Sequence, residues 1–356
     1  MSETLLATKM RLTLERGADF WNDSCALDEL GEAVQNGAVG ATSNPVIVCT
    51  VVKADTGTWM PVLDELVGSM PEAGEDEIAW RLIETIGRRA AALLEPVYRE
   101  TGGRKGFLSM QVNPKLYRST ARMLEHGRAL AALAPNIAIK VPATPEGIAA
   151  GVELVASGIN VNATVSFTLP QALYVGQAFE GALDRAQAAG LDMQRLHPYV
   201  TLMVGRLDDL LQRALVKEGV SIDPGYLHWA GIAVFKKALS LFRERGYRST
   251  LLAAAYRHHM HWSELVGPGV VLSMPYAWWK QFEASDIEVA ETLDRPVDPR
   301  IVEALYARFR DFRRAYDENG LAPEEFVLYG ATIHTLNQFI GGYHELLGVV
   351  RERMLR

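Results

Sequence analysis

Asn136-Ile137-Ala138-Ile139-Lys140-Val141-Pro142-Ala143-Thr144 is an apolar run with one charge inside it. Its length suits a buried strand. With a period of two, Ile137, Ile139 and Val141 point one way and Ala138, Lys140 and Pro142 the other. Lysine is almost never buried without a reason, because removing an ammonium from water is costly. Desolvation instead lowers its pKa, and the neutral amine that results is the form that attacks a carbonyl. From this stretch alone, a strand-end lysine that buries its stem and returns its head to water is an equal reading.

The flanks show how the stretch is used. Thr144 caps a helix with Pro145 at its first position, and Gly158 closes it. A strand at 159–166 follows, with Ile159, Val161, Ala163 and Val165 on one face and Asn160, Asn162, Thr164 and Ser166 on the other. Polar groups on a buried strand need partners. Upstream, 107–113 sets Ser109, Gln111 and Asn113 on one face, and a helix over 114–133 leads to the Lys140 strand. Further strands are predicted at 19–24, 37–45, 199–205, 250–257 and 270–274. Helices are predicted at 1–18 (using Leu5, Leu6, Met10, Leu12 and Leu14), 27–35, 46–104, 171–189, 207–218, 226–245, 298–318 and 332–353. In the long third run Ile78, Leu82, Ile86, Ala90 and Leu94 recur at helical spacing, and Pro96 is expected to kink or end it. Eight strands alternating with helices predict an α/β fold, a single (β/α)8 TIM barrel formed by residues 1–356 as one domain. Additional helices lie at the N-terminus, after strand 2 and at the C-terminus. A doubly wound sheet is the runner-up, but no strand is followed by a Gly-rich phosphate loop.

A formal charge of −7 with no basic stripe argues against nucleic acid and anionic membrane surfaces as partners. No apolar run approaches the ~18 residues of a membrane helix. Residues 1–17 lack a signal-peptide core. Cys25 and Cys49 make neither a metal pattern nor a disulfide framework. A cytoplasmic, reduced protein is expected, and a homo-oligomer is left open.

In a barrel of this kind, active groups sit at the carboxyl ends of the strands. That rule selects Asp23, Asn44, Gln111, Lys140, Asn162, Thr164, Arg206 and Arg257. His197 precedes its strand and belongs to the opposite face. One lysine, one carboxylate, several amides and two arginines suit a Schiff-base site with an anion clamp. Asp23 and Arg206 have a plainer reading as a helix cap and part of an ion-paired helix face. His258, His259 and His261 suggest metal ligands, but adjacent histidines cannot readily aim at one ion from a strand end; no metal is expected. Trp278 and Trp279 are expected to pack under a loop rather than form a lid.

Four segments carry a resemblance to the transaldolase family: Gly40-Ala41-Thr42-Ser43-Asn44-Pro45, Ile139-Lys140-Val141-Pro142-Ala143-Thr144, Gly158-Ile159-Asn160-Val161-Asn162-Ala163-Thr164 and Met203-Val204-Gly205-Arg206-Leu207-Asp208-Asp209. Their order and spacing, one per strand, make the resemblance specific. It runs from about Asp19 to Arg257, the closing helix near 332–353 fits more loosely, and residues 258–330 match poorly. The resemblance implies class I aldolase chemistry without a cofactor, acting on small sugar phosphates. Lys140 falls on the Schiff-base lysine, Asp23 on the acid/base aspartate and Thr164 on the residue that orients the catalytic water. Asn44 and Asn162 fall on substrate-holding amides and Thr42 on a neighbouring contact. Arg206 and Arg257 fall on the phosphate-binding arginines, with Thr201 replacing a serine beside them. Gln111 departs from the pattern: typical transaldolases carry a glutamate there, whereas the related fructose-6-phosphate aldolases carry glutamine. Those aldolases add a tyrosine where this chain has Met203, and Ala255 stands where a phosphate-contacting serine is usual. The implied activity is transfer of a dihydroxyacetone unit from a ketose phosphate to an aldehyde. The rivals are a lyase of the same chemistry, a sugar-phosphate-binding barrel without turnover, and a metal hydrolase built on the His258–His261 cluster.

Overall fold

The computed structural model describes residues 8–356. Eight parallel strands close into one barrel in chain order. They are β1 (Asp19–Asn22), β2 (Gly40–Thr42), β3 (Phe107–Gln111), β4 (Ile137–Pro142), β5 (Val161–Thr164), β6 (Tyr199–Leu202), β7 (Thr250–Ala253) and β8 (Val270–Met274). Pairing of Asn22 with Met274 seals the seam between first and last strands. The fold is the expected (β/α)8 barrel and not a doubly wound sheet.

The period-two reading of β4 holds on both faces. Ile137, Ile139 and Val141 join the apolar layer between barrel and helices. Ala138 instead faces the interior with Trp21, Phe107, Tyr199, Leu252 and Val271. Trp21 and Tyr199 cross edge to face at 4.8 Å, filling the lower barrel. Truncating a buried aromatic of this kind typically costs about 3–5 kcal/mol. The plug also explains Gly40, because a Cβ there would lie 2.4 Å from the Trp21 ring. Above the plug, register brings Gln111, Lys140 and Asn162 side by side on three neighbouring strands.

Most strands are shorter than the segments predicted for them. The segment expected as strand over 250–257 leaves the barrel after Ala253, and the helix after β6 already begins at Val204. Arg206 therefore sits in a helical first turn. The expected helix over 46–104 is three helices, Pro45–Ala54, Thr56–Ser69 and Glu75–Glu100. Asp55 divides the first two by accepting from Thr58 N–H at 3.1 Å. Pro96 does not end the third, whose apolar stripe of Ile78, Leu82, Ile86, Ala90 and Leu94 is buried as the spacing predicts. The helix expected over 298–318 breaks at Phe309, which is extended, into Pro299–Arg308 and Arg310–Tyr316. The opening helix is Lys9–Glu15; Leu5 and Leu6 lie outside the described residues.

The closing helix, Gly330–Met354, lies across the catalytic end of the barrel and packs on Pro45–Ala54. Close approach there requires Gly342, since a Cβ would lie 2.5 Å from Val46 Cγ2. No single described helix is long and apolar enough to cross a membrane.

Candidate active site

A cavity of about 370 Å³ opens at the carboxyl ends of the strands. Lys140, Asp23, Thr42, Asn44, Thr164, Thr201, Arg206 and Arg257 all line it. The closing helix, where the family resemblance is looser, adds Gln338 and Phe339.

Lys140 is only 6 % exposed. Burial pushes its pKa below the ordinary 10.5; Asp23 pulls it up and the like charge of Arg206 pushes it down again. The net direction favours the free amine. Asp23 follows β1 directly, where its N–H donates to Met274 O at 2.9 Å. Its carboxylate accepts from Thr42 Oγ1, so one oxygen is oriented and the other is left toward the cavity. Asn44 caps the helix Pro45–Ala54 by accepting from Val46 N–H and Ile47 N–H at 2.9 and 3.0 Å. With Oδ1 so engaged, its NH2 is the group available to a ligand.

Thr164 ends β5 with its hydroxyl buried and unpartnered among the described residues. The next residue, Val165, has φ +57, a left-handed conformation that a β-branched residue adopts only under constraint. Gln171 supplies the constraint. It is fully buried, donates from Nε2 to Val165 O and Ala143 O at 3.2 and 3.4 Å, and accepts from Phe167 N–H and Thr168 Oγ1 at 3.0 Å each. In the sequence Gln171 stands out by one signal, polarity at the start of a buried helix.

Two expected site residues stand behind the cavity wall. Asn162 is fully buried, donating to Ser109 Oγ at 3.1 Å and accepting from Thr201 Oγ1 at 2.7 Å. It braces β3, β5 and β6 beside Lys140, while its partner Thr201 reaches the cavity. Gln111 borders a separate gap of about 10 Å³, and its Oε1 is buried without a partner among the described residues. Near the site Tyr256, unremarked in the sequence, is buried with its hydroxyl unpartnered among the described residues. Burial first and Asp23 second push its pKa well above 10. Trp279 is buried and donates to Asn22 Oδ1 at 3.1 Å, as packing rather than a lid requires.

The arginines differ. Arg206 donates from Nη1 to Gln338, and its buried Nε has no partner among the described residues. Burial and the neighbouring Arg257 lower its pKa to about 10. Arg257 is gripped by Asp209, with Nε to the two carboxylate oxygens at 3.0 and 3.1 Å and Nη2 to one at 2.8 Å. Its Nη1 donates to Tyr256 O and Ala255 O at 2.8 and 3.2 Å. That leaves one Nη2 hydrogen for a ligand, so Arg206 is the less committed of the two. Asp208, His228 and His258 bring potential metal-ligand atoms within 4.8 Å of one another behind Arg257.

A buried amine, an oriented carboxylate and a half-buried guanidinium in one barrel mouth agree with what sequence comparison finds. The profile described as Transaldolase/Fructose-6-phosphate aldolase matches residues 20–323. The chain belongs to this family. The match continues past Arg257, where the resemblance was expected to fade. Transaldolase 1 of Streptomyces avermitilis is 34% identical over 260 residues, covering 67% of this chain and 68% of that protein. Transaldolase 1 of Streptomyces coelicolor is 30% identical over 303 residues, 77% and 78% of the two chains. The transaldolase of an Arthrobacter species is 25% identical over 97% of each. Within the family's arrangement the departures stand out physically: Gln111 supplies an amide in the lysine's own layer, and Met203 supplies no hydroxyl to the cavity it lines.

Proposed function

We propose that this chain is a transaldolase, transferring a dihydroxyacetone unit from a ketose phosphate to an aldehyde through a Schiff base on Lys140. The observation that carries the reading is a desolvated amine that shares one cavity with the Asp23 carboxylate and the half-buried Arg206 guanidinium. Neutral Nζ adds to the ketose C2 carbonyl, and the carbinolamine loses water to give the imine. Asp23 takes the proton of the C4 hydroxyl as the C3–C4 bond breaks, and the aldehyde leaves. The electron pair stays on C3 as an enamine conjugated with the lysine nitrogen, which adds to the carbonyl of the acceptor. Asp23 returns the proton, and water held at Thr164 hydrolyses the new imine. Arg206 binds the phosphate, assisted by Arg257. Asn44 and Thr42 hold the hydroxyls, while Asn162 acts through Thr201. Gln111, on the small gap beside the cavity, has room for no more than a water and exchanges no proton. Two buried free cysteines, Cys25 and Cys49, fit a cytoplasmic setting for this chemistry.

A second reading, a lyase releasing dihydroxyacetone, is favoured by one observation: the amide of Gln111 stands where a shuttling carboxylate is usual. One experiment addresses both readings. Borohydride added with a ketose donor should trap a mass adduct at Lys140 that Lys140→Arg abolishes. Donors incubated with and without an aldehyde acceptor then separate the two: product appearing only with acceptor supports transfer, and free dihydroxyacetone in its absence supports cleavage. Labelling at another lysine would sink both.

A further inference from the structure

We infer that His261 is a positioning residue for Arg257, acting with Asp208, so that the histidine cluster beyond β7 serves the anion end of the cavity. The inference rests on the reading of Arg257 as a phosphate ligand.

The segment that carries Arg257 needs holding. It departs from β7 at Ala253, and Ala255 within it has φ +65, a conformation that non-glycine residues keep only when their surroundings impose it. Arg257 N–H donates to His261 Nδ1 at 3.1 Å. Because Nδ1 accepts, the proton of the neutral ring is on Nε2. That N–H reaches Asp208 Oδ2 at 2.9 Å. The other oxygen of Asp208 accepts from Gly231 N–H at 3.0 Å. His261 is fully buried, so in the folded chain neither link is shared with bulk solvent. Three hydrogen bonds thus run from the helix Ala230–Arg245, through Asp208 on Val204–Glu218, to the main chain of Arg257. Asp209, the next residue, grips the guanidinium. A single turn of one helix holds Arg257 by its backbone and by its head.

The packing leaves no slack. A Cβ on Gly205 would lie 2.1 Å from Ala255 O and 2.7 Å from Arg257 Cγ; one on Gly231 would lie 2.3 Å from Val204 O. Asp208 is committed as well. Burial pushes its pKa up, but the hydrogen bonds from His258 and His261 hold it below the ordinary value. Its Oδ2 serves both rings, His258 at 3.2 Å. A metal ion on Asp208, His228 and His258 would have to take this oxygen from them.

The test compares His261→Phe, His261→Gln and His261→Asn in the full chain, measuring KM and kcat for a phosphorylated ketose and its unphosphorylated counterpart. Asparagine can keep the acceptor for Arg257 N–H, glutamine only the donor to Asp208, and phenylalanine neither. The phenylalanine and glutamine variants should raise KM for the phosphorylated donor about tenfold, with kcat within about twofold and the unphosphorylated donor unaffected. Asparagine should recover most of the loss. Equal losses on both donors, or asparagine no better than glutamine, would overturn the inference, and the asparagine–glutamine comparison stands even where phenylalanine prevents folding. Arg257→Ala, run alongside, separates the two ideas. If it fails to distinguish the donors, the phosphate reading falls and takes this inference with it. If it distinguishes them and the His261 variants do not, this inference alone falls. One equivalent of zinc in the purified protein, removable with loss of phosphate discrimination, would also overturn it.

Discussion

Two charges in the cavity act on Lys140 in opposite senses. Burial is the main force that lowers its pKa; Asp23 stabilises the ammonium and Arg206 destabilises it. The rate of borohydride-trapped adduct, measured against pH with an unphosphorylated ketone, reads the neutral fraction of the amine. The wild-type rise should fall below the ordinary lysine value of 10.5. Asp23→Asn removes the anion and should move the rise to lower pH; Arg206→Gln removes the cation and should move it to higher pH. Shifts of the same sign in both variants would mean that rearrangement, not charge, governs the amine. The same residue scale holds the question of transfer. Gln111 pairs in register with Lys140, so Gln111→Glu puts a titratable group in the lysine's own layer. General acid/base groups contribute about 10²–10⁴-fold. If water at Thr164 completes the shuttle, the variant should gain aldehyde transfer and a new acid limb in its pH–rate profile. A dead Gln111→Glu beside a normal Gln111→Ala would remove position 111 from any proton path.

At the scale of elements, the chemistry depends on how β5 and β7 end. Both strands leave the barrel through a left-handed residue that is not glycine, Val165 and Ala255. Each turn is kept by a buried side chain from the following segment, Gln171 and His261. Gln171→Glu keeps the shape but sets an oxygen against Val165 O and Ala143 O. It should cost about 1–3 kcal/mol in denaturant unfolding. It should also lower kcat for phosphorylated and unphosphorylated donors alike, since the displaced group is Thr164. A variant of normal stability and kcat would show that the turn needs no clamp. These turns also mark what the chain disclosed beforehand. Period-two alternation revealed which side chains of β4 and β5 face inward, because the pleat alone imposes it. The strand ends stayed hidden, since valine and alanine carry no turn signal. The histidines were visible as a cluster, but their partner Asp208 comes from a helix fifty residues away. Asn162 was selected correctly as inward-facing, yet alternation could not say that Ser109 and Thr201 would absorb its amide.

Taken whole, the molecule is a barrel whose mouth is finished by a helix from outside it. Gly330–Met354 brings Gln338 to Arg206 and rests on Pro45–Ala54 where Gly342 admits Val46. Gly342→Leu should lift that contact. We expect a higher KM for the ketose, weaker protection of Lys140 from amine-reactive reagents and a lower Tm; unchanged labelling of Lys140 would show that the helix does not seal the site. The order of synthesis gives this arrangement a further meaning. All eight strands precede the closing helix, so the barrel can emerge from the ribosome and close while its mouth is still open. In that interval a Lys140 open to water would keep a solvated ammonium and the reactivity of a surface lysine. If Gly342→Leu shows that this helix seals the site, its docking would be the step of folding at which the amine becomes reactive, and a barrel without it would be spared condensation with carbonyl compounds around it.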